Sequence, residues 1–114
     1  LLNEGELDGV RIVSPATVRL MLSPNVSEPQ LPPRFLEQGR TFGLGGWVSQ
    51  EPGLSAEEYT PGQYGWGGYY DTSFTISPVD DLAIVILAQR EPGPHAPESR
   101  ARELVSAITF GALE

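Results

Sequence analysis

The segment Leu82 to Ala88 constrains the fold more than any other part of the chain. Its seven residues, Leu-Ala-Ile-Val-Ile-Leu-Ala, are all apolar and follow directly on the turn-forming sequence Pro-Val-Asp-Asp at 78–81. The length and the β-branched residues are typical of a strand, in which successive side chains point to opposite faces of a sheet. Each Val, Ile or Leu left in water forgoes roughly 1.5 to 3 kcal/mol of burial free energy. We therefore expect both faces of this strand to be covered.

One face of the sheet has an obvious cover in the C-terminal tail, residues 98–113. Apolar residues recur there at helical spacing, which predicts an amphipathic helix. The predicted apolar face consists of Ala101, Leu104, Val105, Ile108 and Ala112. The other face of the strand, and one of its edges, have no such cover in the sequence. We infer a partner there: a missing N-terminal part of the same protein, or a second copy in a homodimer through strand 82–88.

Three short elements are predicted near the N-terminus. Residues 1–5 resemble the tail of a helix, with Gly5 at a left-handed stop. Asp-Gly at positions 8 and 9, between short extended pieces, indicates a hairpin over 6–13. Ser14 and Pro15 are typical of an N-cap and a first helical position, and they predict a short helix from Ala16 to Leu22.

Two glycine-containing segments are predicted to be strands. Large and small residues alternate over Thr41 to Val48, as in a strand lightened by glycine. A long hairpin follows, with strands Trp66 to Ser77 and Leu82 to Gln89, while 24–39 and 50–63 are predicted to be loops. These elements predict the α+β class: an antiparallel sheet of about three main strands with the C-terminal helix packed on one face.

Composition excludes several classes of function. The chain has 114 residues, which is enough for one domain. Its formal net charge is −8 and its 7 Lys+Arg residues are all arginine, so no basic surface for nucleic acid is expected. The absence of cysteine excludes disulfides and thiol catalysis. No apolar run reaches the length of about 18 residues that a membrane span needs. Composition leaves the cellular compartment open.

The most suggestive motif is Trp-Gly-Gly-Tyr-Tyr at 66–70. Glycines allow a backbone to approach another group closely, and a sheet edge of this kind can present main-chain amides to a ligand. Taken alone, the motif is explained equally well by a glycine bulge in an ordinary strand.

The chain resembles the C-terminal portion of the serine β-lactamase, penicillin-binding-protein and esterase superfamily, most clearly from Thr41 onward. In that superfamily a Lys-Thr-Gly triplet on a strand lines the active site. Trp66-Gly67-Gly68 is similar to the triplet at that position in the esterase branch, and segments 2–9 and 14–17 resemble those that precede it. The resemblance implies a partial β-lactamase/transpeptidase-like fold, with residues 1–114 a single C-terminal segment that lacks the N-terminal sheet strands and the helical domain. Because the chain has no lysine, the family's Ser-x-x-Lys nucleophile motif is not in it.

The same resemblance implies acyl transfer to an activated serine, followed by hydrolysis of the acyl-enzyme. The backbone N–H of Tyr69 would be one donor of the oxyanion hole, where a single donor is worth about 2.7 to 4 kcal/mol. Trp66, Gly67, Gly68 and Tyr70 would contact the substrate, a small ester or amide in the complete protein. Trp66 takes the place of the family's lysine and removes a cation, which favours a neutral ester over a carboxylate-bearing β-lactam. The chain alone is expected to be inactive, and neither a metal nor an organic cofactor is implied.

Other interpretations stay open. The chain could be a stand-alone binding or assembly module that pairs through an exposed sheet edge. The aromatic residues could form a sugar-binding platform; they are Trp47, Tyr59, Tyr64, Tyr69 and Tyr70. Pro29 to Arg34 matches a ligand of SH3-type grooves. Asp80 and Asp81 are typical turn formers rather than cation ligands, and His95, among prolines, is a surface-loop residue rather than a catalytic base.

Overall fold

In the computed structural model of the chain, the described residues are 1–26, 30, 32–33, 39–51, 54, 60–91 and 100–113. Their strands and helices, in chain order, are β1 (Glu6–Leu7), β2 (Val10–Arg11), α1 (Pro15–Met21), β3 (Arg40–Phe42), β4 (Trp47–Ser49), β5 (Tyr64–Gly67), β6 (Ser73–Ser77), β7 (Leu82–Ile86) and α2 (Ala101–Gly111). Strands β1 and β2 form a two-stranded antiparallel sheet, and β3 to β7 form a five-stranded antiparallel sheet in sequential order. No helix within these ranges is both long enough and apolar enough to cross a bilayer.

The predicted N-terminal hairpin is confirmed. Asp8 and Gly9 connect β1 to β2 with φ values of 49° and 78°, the left-handed pair that a two-residue type I′ turn requires. Residues 2–5 form turns rather than the predicted end of a helix, because Glu4 N donates to Leu1 O and the next amides do not continue a helical ladder. Gly5 does adopt a left-handed φ of 86°.

The short helix α1 is confirmed together with its cap. Ser14 Oγ accepts a hydrogen bond from Thr17 N at 3.1 Å, and Pro15 occupies the first turn, where its missing N–H is not needed. Val18 is the buried residue of the helix. The helix end is tied to the large sheet because Leu44 N donates to Met21 O at 3.1 Å.

The segment Thr41 to Val48 is a hairpin, not the single strand that was predicted. Strands β3 and β4 pair across it, and Gly43 N donates to Gly46 O at 2.9 Å to close the turn. Gly45 has a φ of 83°, which residues other than glycine rarely adopt. The glycines in the alternating pattern therefore make a turn, and the prediction mistook them for the small positions of one strand.

The segment Trp66 to Ser77 is likewise two strands rather than one. Strand β5 ends at Gly67, Gly68 N donates to Thr72 O at 2.7 Å, and β6 begins at Ser73. Asp71 reverses the chain with a φ of 68°. The α+β class and the antiparallel sheet are confirmed, but the sheet has five strands because each of these segments contains a turn.

The large sheet has one buried and one exposed face at its β7 side. Thr75 of β6 lies opposite Ile84 of β7, and both are buried. On the other face Val85 is 64% exposed, and Leu87, just past the strand, is 85% exposed. An apolar groove of about 520 Å³ runs between this face, at Ile76 and Ala83, and the N-terminal hairpin. Within the described part of the chain, β7 is an edge strand with one uncovered face, as the sequence predicted.

Helix α2 forms where it was predicted, but the prediction of which side chains cover the sheet was wrong. Leu104 is 58% and Ile108 is 72% exposed, whereas Ser106 is buried. Arg102, one helical turn before Ser106, donates from Nη2 to Gly68 O and Thr72 O at 3.3 Å each, so the Arg102–Ser106 side of the helix, and not the Leu104–Ile108 side, faces inward.

Candidate active site

The predicted site residues are consecutive: Trp66 and Gly67 are the last two residues of β5, and Gly68, Tyr69 and Tyr70 begin its connection to β6. Residues 68–71 form a turn in which Asp71 N donates to Gly68 O at 3.3 Å. Neither Tyr69 nor Tyr70 has a positive φ, which identifies a type I turn, and Asp71 follows in the left-handed region. This is the usual three-residue connection of an antiparallel hairpin, a type I turn followed by one left-handed residue.

Tyr69 is the second residue of this turn. The turn uses the N–H groups of Gly68 and Asp71, and the Tyr69 N–H donates to no other described residue. The Tyr69 residue is 66% exposed. The N–H predicted to be an oxyanion donor is thus held in a defined turn and is unused by the described chain.

The two glycines of the motif make room for the chain's own atoms. A Cβ built on Gly68 would lie 2.1 Å from Thr72 Oγ1, and one built on Gly67 would lie 2.6 Å from Arg102 Nη1. A side chain at position 67 would therefore have to displace the side chain of Arg102, and one at position 68 would have to displace that of Thr72. Their contact with a substrate stays a prediction.

The aromatic residues of the motif form two pairs. Trp66, partly exposed on β5, packs its ring 5.2 Å from the ring of Phe42 at an interplanar angle of 57°. Tyr69 and Tyr70, both exposed, form an edge-to-face pair with centroids 5.2 Å apart. The motif therefore presents three exposed aromatic rings, those of Trp66, Tyr69 and Tyr70, and a substrate role for Trp66 and Tyr70 stays a prediction.

An ionic cluster underlies the turn. The Asp71 carboxylate lies 3.5 Å from Arg102 Nε and 3.8 Å from Arg90 Nη1, and its side chain is 18% exposed. Arg90 N also donates to Tyr70 O at 3.1 Å, which ties the chain beyond β7 to the turn. Asp71, Arg90 and Arg102 were not predicted as a cluster, because no local pattern links Asp71 to residues 19 and 31 positions further along the chain.

Tyr64 is a buried neighbour of the site on β5. Its hydroxyl donates to Leu44 O at 2.7 Å, and burial raises the pKa of the phenol above its ordinary value. Trp47 is buried too. A sugar-binding platform that includes Trp47 and Tyr64 is therefore wrong, since their rings form core; Tyr59 lies outside the described residues.

The remaining sequence hypotheses have separate outcomes. Asp80 and Asp81 lie in the β6–β7 turn, where Asp80 accepts hydrogen bonds from Ser77 and Thr60 and Asp81 has a φ of 49°, so they are turn formers as predicted. His95 and half of the segment 29–34, namely Pro29, Leu31 and Arg34, lie outside the described residues.

Comparison with known proteins identifies the family. The model of the Beta-lactamase family matches residues 5–108. The chain belongs to the Beta-lactamase family. Two Mycobacterium tuberculosis proteins, the uncharacterized protein MT1414 of strain CDC 1551 / Oshkosh and protein Rv1367c of strain ATCC 25618 / H37Rv, are each 37% identical to it over 99 residues. These matches cover 81% of the chain and 25% of each relative, so the chain spans about a quarter of their length.

Solved structures place this member of the Beta-lactamase family near its esterase branch. EstCE1, a hydrolase with promiscuous acyltransferase activity, superimposes with a TM-score of 0.63 at 29% identity, over 79% of the chain and 22% of EstCE1. Unliganded simvastatin synthase (LovD) from Aspergillus terreus superimposes with a TM-score of 0.67 at 27% identity, over 90% of the chain and 30% of LovD. The superfamily resemblance stated from the sequence is confirmed.

Proposed function

We propose that this chain forms one wall of the active site of a serine hydrolase, and that the Tyr69 N–H is a donor of its oxyanion hole. The observation that carries the proposal is this amide, held in a type I turn at the end of β5 and used by no other described residue. Family membership and the likeness to EstCE1, a hydrolase with promiscuous acyltransferase activity, support the reaction class.

The chain's part in the reaction is electrostatic. An activated serine attacks an ester or amide carbonyl, the carbonyl oxygen becomes negative, and a preorganised N–H stabilises it in the transition state. The leaving group departs, and water then hydrolyses the acyl-enzyme through a second oxyanion at the same position. The nucleophile and its lysine belong to a part of the protein outside this chain, since the chain contains no lysine.

The residues around the amide favour a neutral, apolar substrate. Trp66 is partly exposed and stands where the resembling motif has lysine, and Tyr69 and Tyr70 add two exposed rings. Aromatic faces bind apolar groups and supply no charge to balance a carboxylate. Small esters are therefore proposed as the substrate class.

The test removes one N–H and keeps the turn. Proline is favoured at the second position of a type I turn and lacks an N–H, so Tyr69→Pro in the complete polypeptide deletes the proposed donor without opposing the backbone. With p-nitrophenyl acetate, kcat is expected to fall about 100- to 1,000-fold, the loss typical of one oxyanion donor.

The matched control is Tyr69→Ala, which removes the ring and keeps the N–H. Its kcat is expected to stay within a few-fold of the unaltered protein, with any change mainly in KM. If Tyr69→Pro keeps its kcat, or if Tyr69→Ala loses as much, the amide is not the donor.

The 114-residue chain alone is expected to be silent in the same assay. Its hydrolysis of p-nitrophenyl acetate should equal that of buffer, and mass spectrometry should find no acylated serine. Turnover with an acylated serine in this chain would contradict the proposal that the nucleophile lies elsewhere.

The uncovered edge and face of β7 favour a second candidate, an assembly module that pairs with a second copy of the chain. Sedimentation velocity then shows concentration-dependent dimers without ester turnover. Val85→Lys, on the exposed face of β7, should reduce the dimer fraction, while Val10→Lys, an equally exposed apolar residue on β2, should not. A monomer at all concentrations contradicts this candidate.

A further inference from the structure

One side chain of α2, that of Arg102, forms hydrogen bonds with the turn that contains Tyr69. Arg102 Nη2 donates to Gly68 O and to Thr72 O, each at 3.3 Å, so it bridges the two residues that close the turn. The backbone bond between the same residues, Gly68 N to Thr72 O, is 2.7 Å. The guanidinium therefore fixes both ends of the turn at once.

A carboxylate keeps that guanidinium in place. Asp71 Oδ1 lies 3.5 Å from Arg102 Nε, and Asp71 Oδ2 lies 3.8 Å from Arg90 Nη1. Asp71 is also the left-handed residue of the turn, a conformation that aspartate and asparagine tolerate better than most residues. One residue thus provides both the backbone reversal and the charge that binds Arg102.

The site for Arg102 depends on Gly67. A Cβ at this position would lie 2.6 Å from Arg102 Nη1 and 3.0 Å from Arg102 Cζ. Atoms this close cannot coexist, so a side chain at 67 would push the guanidinium away from the turn. The first glycine of the motif is therefore explained by an arginine that is 35 residues away in the sequence.

We propose that Arg102 is a positioning residue that sets the direction of the Tyr69 N–H, with Asp71 as its ionic partner and Gly67 leaving room for its guanidinium. The proposal rests on the oxyanion function of Tyr69. It assigns a catalytic consequence to α2, because a donor displaced by about 1 Å can cost about 100-fold in rate. Arg102 acts through the turn and does not touch the substrate.

The test compares variants of the complete polypeptide in the p-nitrophenyl acetate assay. Arg102→Ala is expected to lower kcat about 10- to 100-fold with KM changed much less, because the donor acts in the transition state. Asp71→Asn keeps the left-handed residue and removes the charge, so it should give a smaller loss in the same direction. Arg100→Ala removes an exposed arginine of the same helical segment and should leave kcat unchanged.

Gly67→Ala makes the test specific. Alone it should lower kcat like Arg102→Ala, because it displaces the guanidinium. In the Arg102→Ala background it should have almost no further effect, since the atoms that it would strike are gone. Equal losses from Gly67→Ala in both backgrounds would overturn the proposal that Gly67 leaves room for the Arg102 guanidinium.

Amide exchange distinguishes this proposal from the function on which it rests. Loss of Arg102 should speed hydrogen exchange of the Gly68 amide about tenfold, whatever the catalytic role of the turn. Unchanged kcat and unchanged Gly68 exchange in Arg102→Ala would overturn the positioning role. If instead Tyr69→Pro keeps its kcat while the Gly68 exchange still rises, the oxyanion function fails and Arg102 holds the turn without serving catalysis.

Discussion

The effect of Gly68→Ala on stability should depend on the residue at position 72: destabilising beside threonine, and neutral or stabilising beside alanine. The added Cβ would lie 2.1 Å from Thr72 Oγ1, about 1.3 Å inside the 3.4 Å at which ordinary contact begins. Relief requires an off-rotamer Thr72, at about 0.5 to 1.5 kcal/mol, or a backbone shift of the kind that overpacking causes, at about 1 to 3 kcal/mol. We expect Gly68→Ala to lower the free energy of unfolding by about 1 to 3 kcal/mol.

The same substitution should be harmless after Thr72→Ala. With Oγ1 removed, the nearest remaining atom is Thr72 Cβ at 3.5 Å, which is ordinary contact. Gly68 is not in the left-handed region, so alanine can adopt its backbone and restricts the unfolded chain, which stabilises by about 0.4 to 1 kcal/mol. Gly68→Ala is thus expected to be neutral or stabilising in this background.

Urea unfolding followed by tryptophan fluorescence measures all four members of this cycle, because Trp47 is buried in the native state. All variants are compared in the same polypeptide. Gly111→Ala is the control for the glycine replacement itself, since a Cβ there meets nothing within 4 Å. Equal destabilisation by Gly68→Ala in both backgrounds would refute the steric explanation.

Two further predictions concern stability away from the site. Ser77 and then Thr60 donate hydrogen bonds to the Asp80 carboxylate and hold its pKa below the ordinary value of 3.8. A lowered pKa stabilises the fold above the unfolded pKa and loses this contribution as pH falls through the folded pKa. The stability difference between the unaltered protein and Asp80→Asn should therefore be constant near neutrality and shrink below about pH 4. Urea unfolding at several pH values measures this difference. A difference that does not vary with pH would contradict the stabilising role of the Asp80 carboxylate. Ser14→Ala, which removes the cap of α1, should cost about 1 kcal/mol in thermal or urea unfolding, whereas Ser14→Asp should retain most of the stability because aspartate also caps.

The candidate site was predictable in its location and not in its support. The pair Gly67-Gly68 and the superfamily resemblance led from the sequence to the Tyr69 amide. The ionic cluster of Asp71, Arg90 and Arg102 was not predictable, because its members meet only when the end of β7 and the side of α2 reach the turn. Local sequence carries no record of such a meeting.

The sequence alone determined the local elements whose signals are local. Asp8-Gly9 specifies a two-residue hairpin turn because both positions need a left-handed backbone, and Ser14 begins α1 because its hydroxyl pairs with an amide three residues on. It also determined that the strand at 82–88 needs cover on both faces, because both are apolar, and that this chain offers no obvious cover for one of them.

Only the tertiary structure decided where the glycines make turns and which side of α2 faces the sheet. Glycine in an alternating pattern fits both a strand and a turn, and the hydrogen bonds that close Gly43 to Gly46 and Gly68 to Thr72 resolve the choice. The amphipathic pattern of α2 favoured burial of Leu104 and Ile108, but in the structure both are exposed and the helix directs Arg102 to the carbonyls of the β5–β6 turn. Periodicity measures how a helix would bury its apolar face against an unspecified surface, whereas a directional contact to two particular carbonyls exists only after the chain has folded.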